Sequence, residues 1–524
     1  MALALNSFIE KVTSKNLLVL IFLFCVTFFA YGNILIGDFV FDDNTFIEHN
    51  THIRSLSNME TIYSSSTTAG SGLVGDNFYR PNQQFIYAII YAMFGLSPSI
   101  FHLVVVLFHI LNSFLIFILF TKLGISKRTS LFGSLLFLLH PILTEAVSYI
   151  SGLSEPLVTS TILLTLLVFL ESLKNIPLKK YLWLLLLGVL VFSIGLFSKE
   201  NQIVTLGLIF IVFIFQYKKG QILNLFRPIV FIGILSIISA LYVYFRLTML
   251  NFTGVLGLTS EVNSYTQNLS VRLLTFIHIL PEYFKMIIFP WHLYYEKPYA
   301  AYDSALGFQS IISIIFLLAG FASVIISVFK RNAKALLDIS FGFMWFLIAL
   351  LPVSGIIPVN SMYLEHWLYV PIIGVIFCLC ALWENLGAKL PFGSLAPKFS
   401  VCLFIIILIL FSVRIMIRNT EWGDPVKFYE NELRYTDSSA RIYNDLAMEK
   451  ADLGDCEAAI PLYEKAISLN DSYPQTHHNL ARCFVTLGKI DEALVEYKKA
   501  LQIQPNFIYT LRDLYDLGFT VSNN

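Results

Sequence analysis

Charged residues are scarce in this chain of 524 residues. Only 13% of the residues are Asp, Glu, Lys or Arg, whereas 56% are hydrophobic, and the mean hydropathy is +0.72. A soluble globular chain contains about 25% charged residues. The deficit excludes a soluble enzyme with a single membrane anchor and indicates a protein that lies mostly within a bilayer.

Cysteine is also sparse, and none of the six cysteines has the spacing of a zinc site. No basic stripe exists outside the loops between apolar runs, which argues against a nucleic-acid partner. The formal net charge of zero hides two unlike parts. Residues 1–418 hold 25 Lys/Arg and 18 Asp/Glu, whereas residues 419–524 hold 10 and 17. We therefore predict a weakly basic membrane body followed by an acidic soluble tail.

Eleven segments of the body are long and apolar enough to cross a bilayer, which takes about 20 residues in a helix. They lie near 16–36, 98–121, 129–149, 154–172, 181–198, 201–217, 227–246, 307–329, 335–352, 367–386 and 399–417. The sequence therefore predicts an all-α fold in which a polytopic bundle of about eleven spans occupies residues 1–418.

The segment 271–290 is apolar but carries Arg272, Glu282 and Lys285. A charge at the bilayer centre costs about 2.5–3.5 kcal/mol on insertion scales. If this segment does not cross, every basic loop cluster faces the cytoplasm, as the positive-inside rule requires. We therefore predict an interfacial or re-entrant helix at 271–290, a cytoplasmic N-terminus and a tail on the outer face.

The tail, 419–524, repeats with a period of 34 residues. The matching pairs are Leu446 and Leu480, Ala447 and Ala481, Gly454 and Gly488, Ala459 and Ala493, Tyr463 and Tyr497, and Ala466 and Ala500. This period and these small residues are typical of the tetratricopeptide repeat. We predict repeats at 440–473 and 474–507, with a flanking half repeat around Tyr429 and a capping helix at 508–518. The helices either cap the membrane body or form a concave surface for a peptide.

The first predicted outer loop, 37–97, contains three candidate site residues. Asp42 and Asp43 are adjacent in FDDNTF, a few residues beyond the first span. One of them can act as a general base and the other as an orienting residue or metal ligand, although a loop aspartate can also cap a helix. Arg80, in YRPNQQ, can bind a phosphate through its guanidinium group or meet lipid headgroups.

The other candidates lie at turns between later spans. His140 and Glu145 lie in HPILTEAVSYISG, where a separation of five residues disfavours a shared metal and favours a structural or substrate-orienting role. Lys199, in FSKENQ, requires either an anionic ligand or an ion pair with Glu200. Glu365, in MYLEHWLYVP, is a candidate supporting residue at the start of a span.

These residue types suit the transfer of a sugar from a lipid phosphate. Such a donor is amphipathic, so its site should lie at a membrane face. Its leaving group is already a phosphate and needs a cation, while the acceptor hydroxyl needs a base. The alternatives are a transporter of lipid-linked sugars and a non-catalytic scaffold that docks partners through the tail. A transporter would favour buried charges at mid-span and internal repeats within the membrane body, which we do not find in the sequence.

The order of the motifs gives a family resemblance. FDDNTF, YRPNQQ, HPILTEAVSYISG, SKENQ and MYLEHWLYVP, followed by the repeats, resemble the transmembrane and tetratricopeptide-repeat-containing O-mannosyltransferases and their bacterial relatives. The resemblance implies a polytopic glycosyltransferase of the GT-C class, with a polyprenyl- or dolichyl-phosphate sugar donor, mannose favoured, and a single inverting displacement. It implies Asp42 or Asp43 as the catalytic base, with Arg80 and Lys199 at the donor phosphate.

The resemblance also sets expectations for partners and location. It implies no required cofactor, with a divalent cation left open, and membrane lipids and a lipid-linked donor as partners. The acceptor would be a protein hydroxyl, and the acceptor protein or peptide could engage the repeats. The tail would face the periplasm in a prokaryote or the lumen of the endoplasmic reticulum in a eukaryote. Glu365 is followed by His366, where the resemblance leads us to expect a basic residue such as arginine.

Overall fold

A computed structural model describes residues 9–72, 78–222, 225–248, 264–297, 299–330, 334–357, 361–387 and 396–519. These residues form helices and turns, and none of them belongs to a β-strand. The chain divides into two compact units. The membrane unit extends to Thr420, and the tail unit comprises the chain from Glu421 onward and a short stretch that begins at Tyr294. The prediction of an all-α fold is confirmed.

Residues 9–14 are helical, and the α-helices that follow them before the tail are numbered in chain order. They are α1 Asn16–Tyr31, α2 Met59–Ser64, α3 Pro81–Phe94, α4 Pro98–Leu123, α5 Lys127–Leu138, α6 Thr144–Ser148, α7 Ser154–Ser172, α8 Leu178–Leu196, α9 Val204–Lys218, α10 Phe226–Thr248, α11 Ser264–Gln267, α12 Leu269–Ile288, α13 Phe308–Phe329, α14 Lys334–Leu350, α15 Pro371–Gly387 and α16 Ala396–Trp422.

Nine helices among the described residues are long and apolar enough to cross a membrane. They span Asn16–Ile36, Pro98–Leu123, Ile150–Ser172, Leu178–Leu196, Glu200–Lys218, Phe226–Thr248, Phe308–Phe329, Lys334–Val353 and Val401–Trp422. The pair Lys127–Leu138 and Pro141–Ser148, bent by 52°, makes a tenth if it is one span. These ten and the shorter apolar helix α15 coincide with the eleven segments predicted from the sequence.

Helix α12, which covers most of the segment 271–290, is not among the nine. Its Arg272 is buried, but the guanidinium donates from Nε to the Gly355 carbonyl (2.6 Å) and from Nη1 to the Thr266 carbonyl (2.9 Å). Buried charge is tolerated when its donors find such acceptors. The interfacial or re-entrant placement of α12 stays a prediction.

The tail consists of paired short helices. They are α17 Pro425–Leu433, α18 Ala440–Asp452, α19 Cys456–Leu469, α20 Pro474–Thr486, α21 Ile490–Ile503 and α22 Ile508–Asp516. Gly454 and Gly488, 34 positions apart, have φ of +85° and +73° and reverse the chain after the first helix of each repeat. Tyr463 and Tyr497 are both 1% exposed between the paired helices. The 34-residue period thus reflects equivalent positions in two helical hairpins.

Candidate active site

The acidic loop is the segment FDDNTF at 41–46. Its Asp43 is hydrogen-bonded to the turn between α6 and α7. One carboxylate oxygen accepts hydrogen bonds from the backbone N–H (2.8 Å) and the hydroxyl of Ser151. The other oxygen accepts from the backbone N–H of Val40 (3.1 Å). Asp43 is only 1% exposed. Burial raises its pKa to about 7, although the hydrogen bonds from Ser151 and Val40 act in the opposite direction.

Asp42 is the more exposed of the two carboxylates, being half-buried. Its backbone carbonyl accepts from the N–H groups of Thr45 (3.0 Å) and Phe46 (2.8 Å), which fixes the main chain at this position. Phe41, just before it, has a φ of +59°, the only positive φ at a described non-glycine residue. A bulky side chain in this region is strained, and such strain concentrates at functional sites. The two aspartates therefore occupy unlike environments on one fixed loop.

The YRPNQQ motif connects this loop to two other turns. Gln83 donates from Nε2 to the carbonyl of Ser151 (2.8 Å). Asn82 donates from Nδ2 to the carbonyl of Ile194 (2.7 Å) and from its backbone N–H to the carbonyl of Phe197 (3.1 Å). Three motifs that are far apart in the sequence are therefore held together by amide side chains.

Arg80 lies in this junction, with its guanidinium over the ring of Phe78 at 5.0 Å. Its Nε is buried, and no described residue accepts a hydrogen bond from it. The side chain is close enough to Lys199 and Glu200 to interact electrostatically with both. A guanidinium with an unused buried donor is suited to an anionic ligand.

Lys199 forms a buried ion pair with Glu155, at the start of α7. The two side chains are 5% and 3% exposed. The alternative of an ion pair between Lys199 and Glu200 is not what the structure shows, because the partner of Lys199 is Glu155. Glu200 instead lies 3.5 Å from a guanidinium nitrogen of Arg246, which α10 brings to the same turn.

Glu145 and Glu155 are linked through His366. The backbone N–H of His366 donates to Glu145 (3.1 Å), and its Nδ1 is hydrogen-bonded to the same carboxylate. Its Nε2 lies 3.9 Å from the Glu155 oxygen that holds Lys199. These side chains form what we call the charge chain: Glu145, His366, Glu155 and Lys199.

Sequence reasoning missed Glu155 and His366 as site residues. A signal was available for the first, because a carboxylate within a span is costly and demands a partner. His366 had a weaker signal as the histidine that replaces an expected arginine. Its partners Glu145 and Glu155 are more than 200 residues away in the chain, so the contact could not be read from spacing.

His140 has a structural role. Its Nδ1 accepts from the backbone N–H of Ile142 (3.3 Å), so the proton lies on Nε2, which donates to the carbonyl of Ile287 (3.0 Å). The weak alternative of a metal shared with Glu145 is not supported, because both ring nitrogens are occupied and Glu145 contacts His366. Within the described residues, no group of three or more His, Cys, Asp or Glu is arranged to hold a metal ion.

Glu365 is fully buried against Arg418, with 3.3 Å between the carboxylate and a guanidinium nitrogen. Arg418 also donates to the carbonyl of Leu293 (2.9 Å). This pair positions α16, whereas the adjacent His366 enters the charge chain. Neighbouring residues of one motif thus serve different purposes.

Comparisons with known proteins agree with the family resemblance. A tetratricopeptide repeat family model matches residues 438–506, which confirms the repeat prediction. The protein O-mannosyl-transferase TMTC3 of Homo sapiens is 24% identical over 443 residues, 80% of this chain and 47% of the relative. TMTC4 of Homo sapiens is 24% identical over 81% of this chain and 62% of its own length. The protein O-mannosyl-transferase F38B6.6 of Caenorhabditis elegans is 25% identical over 85% and 62%.

A solved structure was also found to be similar. It is ArnT from Cupriavidus metallidurans bound to undecaprenyl phosphate, with 12% identity and a TM-score of 0.38 over 93% of this chain and 79% of that one. The chain spans 47–62% of the length of the curated relatives named above. The resemblance predicted from the motifs is confirmed: most of this chain is similar to protein O-mannosyltransferases.

Proposed function

We propose that the chain is an inverting membrane glycosyltransferase that moves a sugar from a lipid phosphate to a hydroxyl acceptor. The observation that carries the proposal is the convergence of the acidic loop, Arg80 and the charge chain on one polar junction of the membrane unit. Polar side chains within a membrane are costly and are retained mainly where they function. The names of the relatives favour the same reaction class.

In this reaction the acceptor oxygen attacks the anomeric carbon, and the bond from that carbon to the phosphate oxygen breaks. The bonding electron pair leaves with the lipid phosphate, and the hydroxyl proton passes to a carboxylate base. Asp42 suits the role of the base because it is half-buried and its backbone is fixed. Asp43, with both oxygens engaged by Ser151 and Val40, suits the role of a positioning residue.

Two cations are candidates for binding the donor phosphate, and they differ in whether they are already paired. Arg80 has a buried donor that no described residue uses. Lys199 is neutralised by Glu155, so it can bind a phosphate only if that pair opens. We therefore assign the main phosphate contact to Arg80. No resident cofactor takes part in this scheme.

The finer assignments follow from the relatives' names and the topology predicted from the sequence. The sugar is mannose, the acceptor is a protein hydroxyl, and transfer occurs on the outer face of the membrane. The repeats are the part of the chain suited to engaging an acceptor protein.

A direct assay tests this function against the two alternatives. Purified protein is incubated with polyprenyl-phosphate mannose and a protein extract, and transfer is measured by mass spectrometry. The wild type should transfer the sugar, Asp42→Asn should not, and Asp38→Asn should behave as wild type because Asp38 is an exposed carboxylate of the same loop. A scaffold would retain partners without transfer in any form of the protein, and a transporter would move the lipid sugar across vesicles while leaving the extract unmodified.

A further inference from the structure

One carboxylate oxygen in the charge chain is shared by two cationic side chains. Oε1 of Glu155 holds Lys199 and lies 3.9 Å from Nε2 of His366. The distance of 3.9 Å exceeds a hydrogen bond, so His366 approaches Glu155 without engaging it. A protonated His366 would therefore compete with Lys199 for this oxygen.

His366 is the member of the chain that can exchange protons with solvent. Its side chain is 18% exposed, against 0% for Glu145, 3% for Glu155 and 5% for Lys199. Histidine is also the side chain whose charge ordinarily changes near neutral pH. The charged groups that contact it among the described residues are Glu145 on α6 and Glu155 on α7, with Lys199 on the far side of Glu155.

The charge around Lys199 favours an anionic ligand when His366 is protonated. With neutral His366, the carboxylates of Glu145, Glu155 and Glu200 are balanced by the cations Lys199, Arg80 and Arg246 at the same turn. Protonation of His366 adds one net positive charge. A buried unpaired charge is expensive, so a phosphate should enter more easily when the imidazole is protonated.

We propose that His366 is a positioning residue that controls access of Lys199 to the donor phosphate. Protonated His366 forms an ion pair with Glu155, and Lys199 is then released to bind the phosphate beside Arg80. Neutral His366 leaves Glu155 on Lys199, and the second cation is withheld. The inference rests on the proposed function, because it concerns binding of the same lipid-linked donor.

The coupling of phosphate binding to protonation of His366 predicts how the binding constant changes with pH. If phosphate binding is coupled to one proton on His366, the binding constant falls as pH rises, by at most about tenfold per pH unit. His366→Arg keeps a permanent cation next to Glu155, so this variant should bind the phosphate tightly at all pH values. His366→Gln cannot carry charge and should bind weakly at all pH values. Glu155→Gln no longer holds Lys199 and should bind tightly without pH dependence.

The probe is the methyl ester of farnesyl phosphate, which keeps one negative charge from about pH 5.5 to about pH 8.5 because its remaining acidic group has a low pKa. Binding to purified full-length protein is measured by calorimetry across this range, without an acceptor. His49→Gln is the matched control, since His49 is an exposed histidine of the outer loop and is not a member of the charge chain. Its binding should keep the wild-type pH dependence.

The outcomes separate the two proposals. A wild type that binds the ester equally at all pH values, or a His366→Gln variant that keeps the wild-type slope, overturns the role of His366 and leaves the proposed function intact. A wild type that binds no ester at any pH overturns the proposed function as well. If the His366 variants do not fold, the wild type and Glu155→Gln decide, because a pH-dependent Glu155→Gln would contradict the exchange of partners.

Discussion

Adjacent carboxylates in one loop differ sharply in what surrounds them. Asp43 accepts three hydrogen bonds and is buried, while Asp42 is half-buried one residue earlier. Successive residues project in different directions, so both cannot aim at one acceptor hydroxyl. The difference supports a division between a base and the residue that holds the loop.

We expect Asp42→Asn to lower turnover by about 10²–10⁴-fold, the typical effect of losing a positioned base. Asp43→Asn should have a smaller effect, and Ser151→Ala should reproduce part of it because it removes a hydrogen bond to Asp43. Single-turnover rates with polyprenyl-phosphate mannose measure the effects. A larger loss in Asp43→Asn than in Asp42→Asn would reverse the two roles.

In the tail, His477 provides a test of a different kind. Its Nδ1 lies 2.6 Å from Glu496 and its Nε2 lies 2.7 Å from Asp471. A neutral imidazole has one N–H, so donating to both carboxylates requires the protonated ring. Burial acts to lower the pKa of His477, but the hydrogen bonds to Glu496 and Asp471 outweigh it and the pKa is raised.

A histidine whose pKa is raised by folding stabilises the folded state below its unfolded pKa, and this contribution is lost as pH rises through the folded pKa. His477→Gln should therefore lower the melting temperature of the tail by about 5 °C at mildly acidic pH and have little effect at alkaline pH. The melting temperature is measured on the full-length protein by following hydrogen exchange in α20 as the temperature is raised. His478→Gln is the control: burial lowers the pKa of His478, so its replacement should not produce a loss of stability that is confined to acidic pH.

At the scale of elements, hydrogen bonds between segments of the outer loop fix the backbone just before α3, where Arg80 lies. Asn50 donates from Nδ2 to the carbonyl of Thr67 (3.0 Å) and to Gln84 (3.1 Å). The hydroxyl of Thr67 in turn accepts from the backbone N–H of Arg80 (3.1 Å). The position of Arg80 therefore depends on the packing of a loop segment some thirty residues earlier in the chain.

Gly70 packs against Asn50, and we expect Gly70→Ala to disturb the hydrogen bonds that Asn50 makes. A Cβ there would lie 1.9 Å from Oδ1 of Asn50, so the amide must move. Because small displacements of positioning groups are costly, the catalytic efficiency for the donor should fall about 10–100-fold. Gly233→Ala, where a Cβ meets nothing within 4 Å, should leave the rate unchanged. Wild-type kinetics in Gly70→Ala would show that the loop does not position Arg80.

The elements themselves could be predicted because their signals are local. A span is about 20 apolar residues, and the repeat is a 34-residue period. The pairing of Lys199 with Glu155 could not be predicted, because it depends on how α7 and the turn after α8 meet. Helices that are apolar on all sides give little indication of which faces pack together. The acidic loop was recognised from its residues, whereas its attachment to Ser151 needed the structure.

For the molecule as a whole, the number of crossings decides which face the tail occupies. Nine helices qualify as spans in the described part of the chain, the bent pair α5 and α6 gives a tenth, and α15, Pro371–Gly387, is shorter. If both the bent pair and α15 cross, the count is eleven and the two ends of the chain lie on opposite sides. That count also places all basic loop clusters in the cytoplasm.

We predict that Lys465, an exposed residue of the tail, faces the outer side and that Lys127, an exposed residue at the start of α5, faces the cytoplasm. Single cysteines at these positions, in a protein whose six native cysteines are replaced, are treated with a membrane-impermeant maleimide. Intact cells should label position 465 and not 127, and permeabilised cells should label both. Labelling of 127 in intact cells would invert the topology. Protection of both positions would instead show an even number of crossings, which arises if the bent pair or α15 does not cross or if α12 does. The repeats would then share a compartment with the basic loops rather than with a protein acceptor outside.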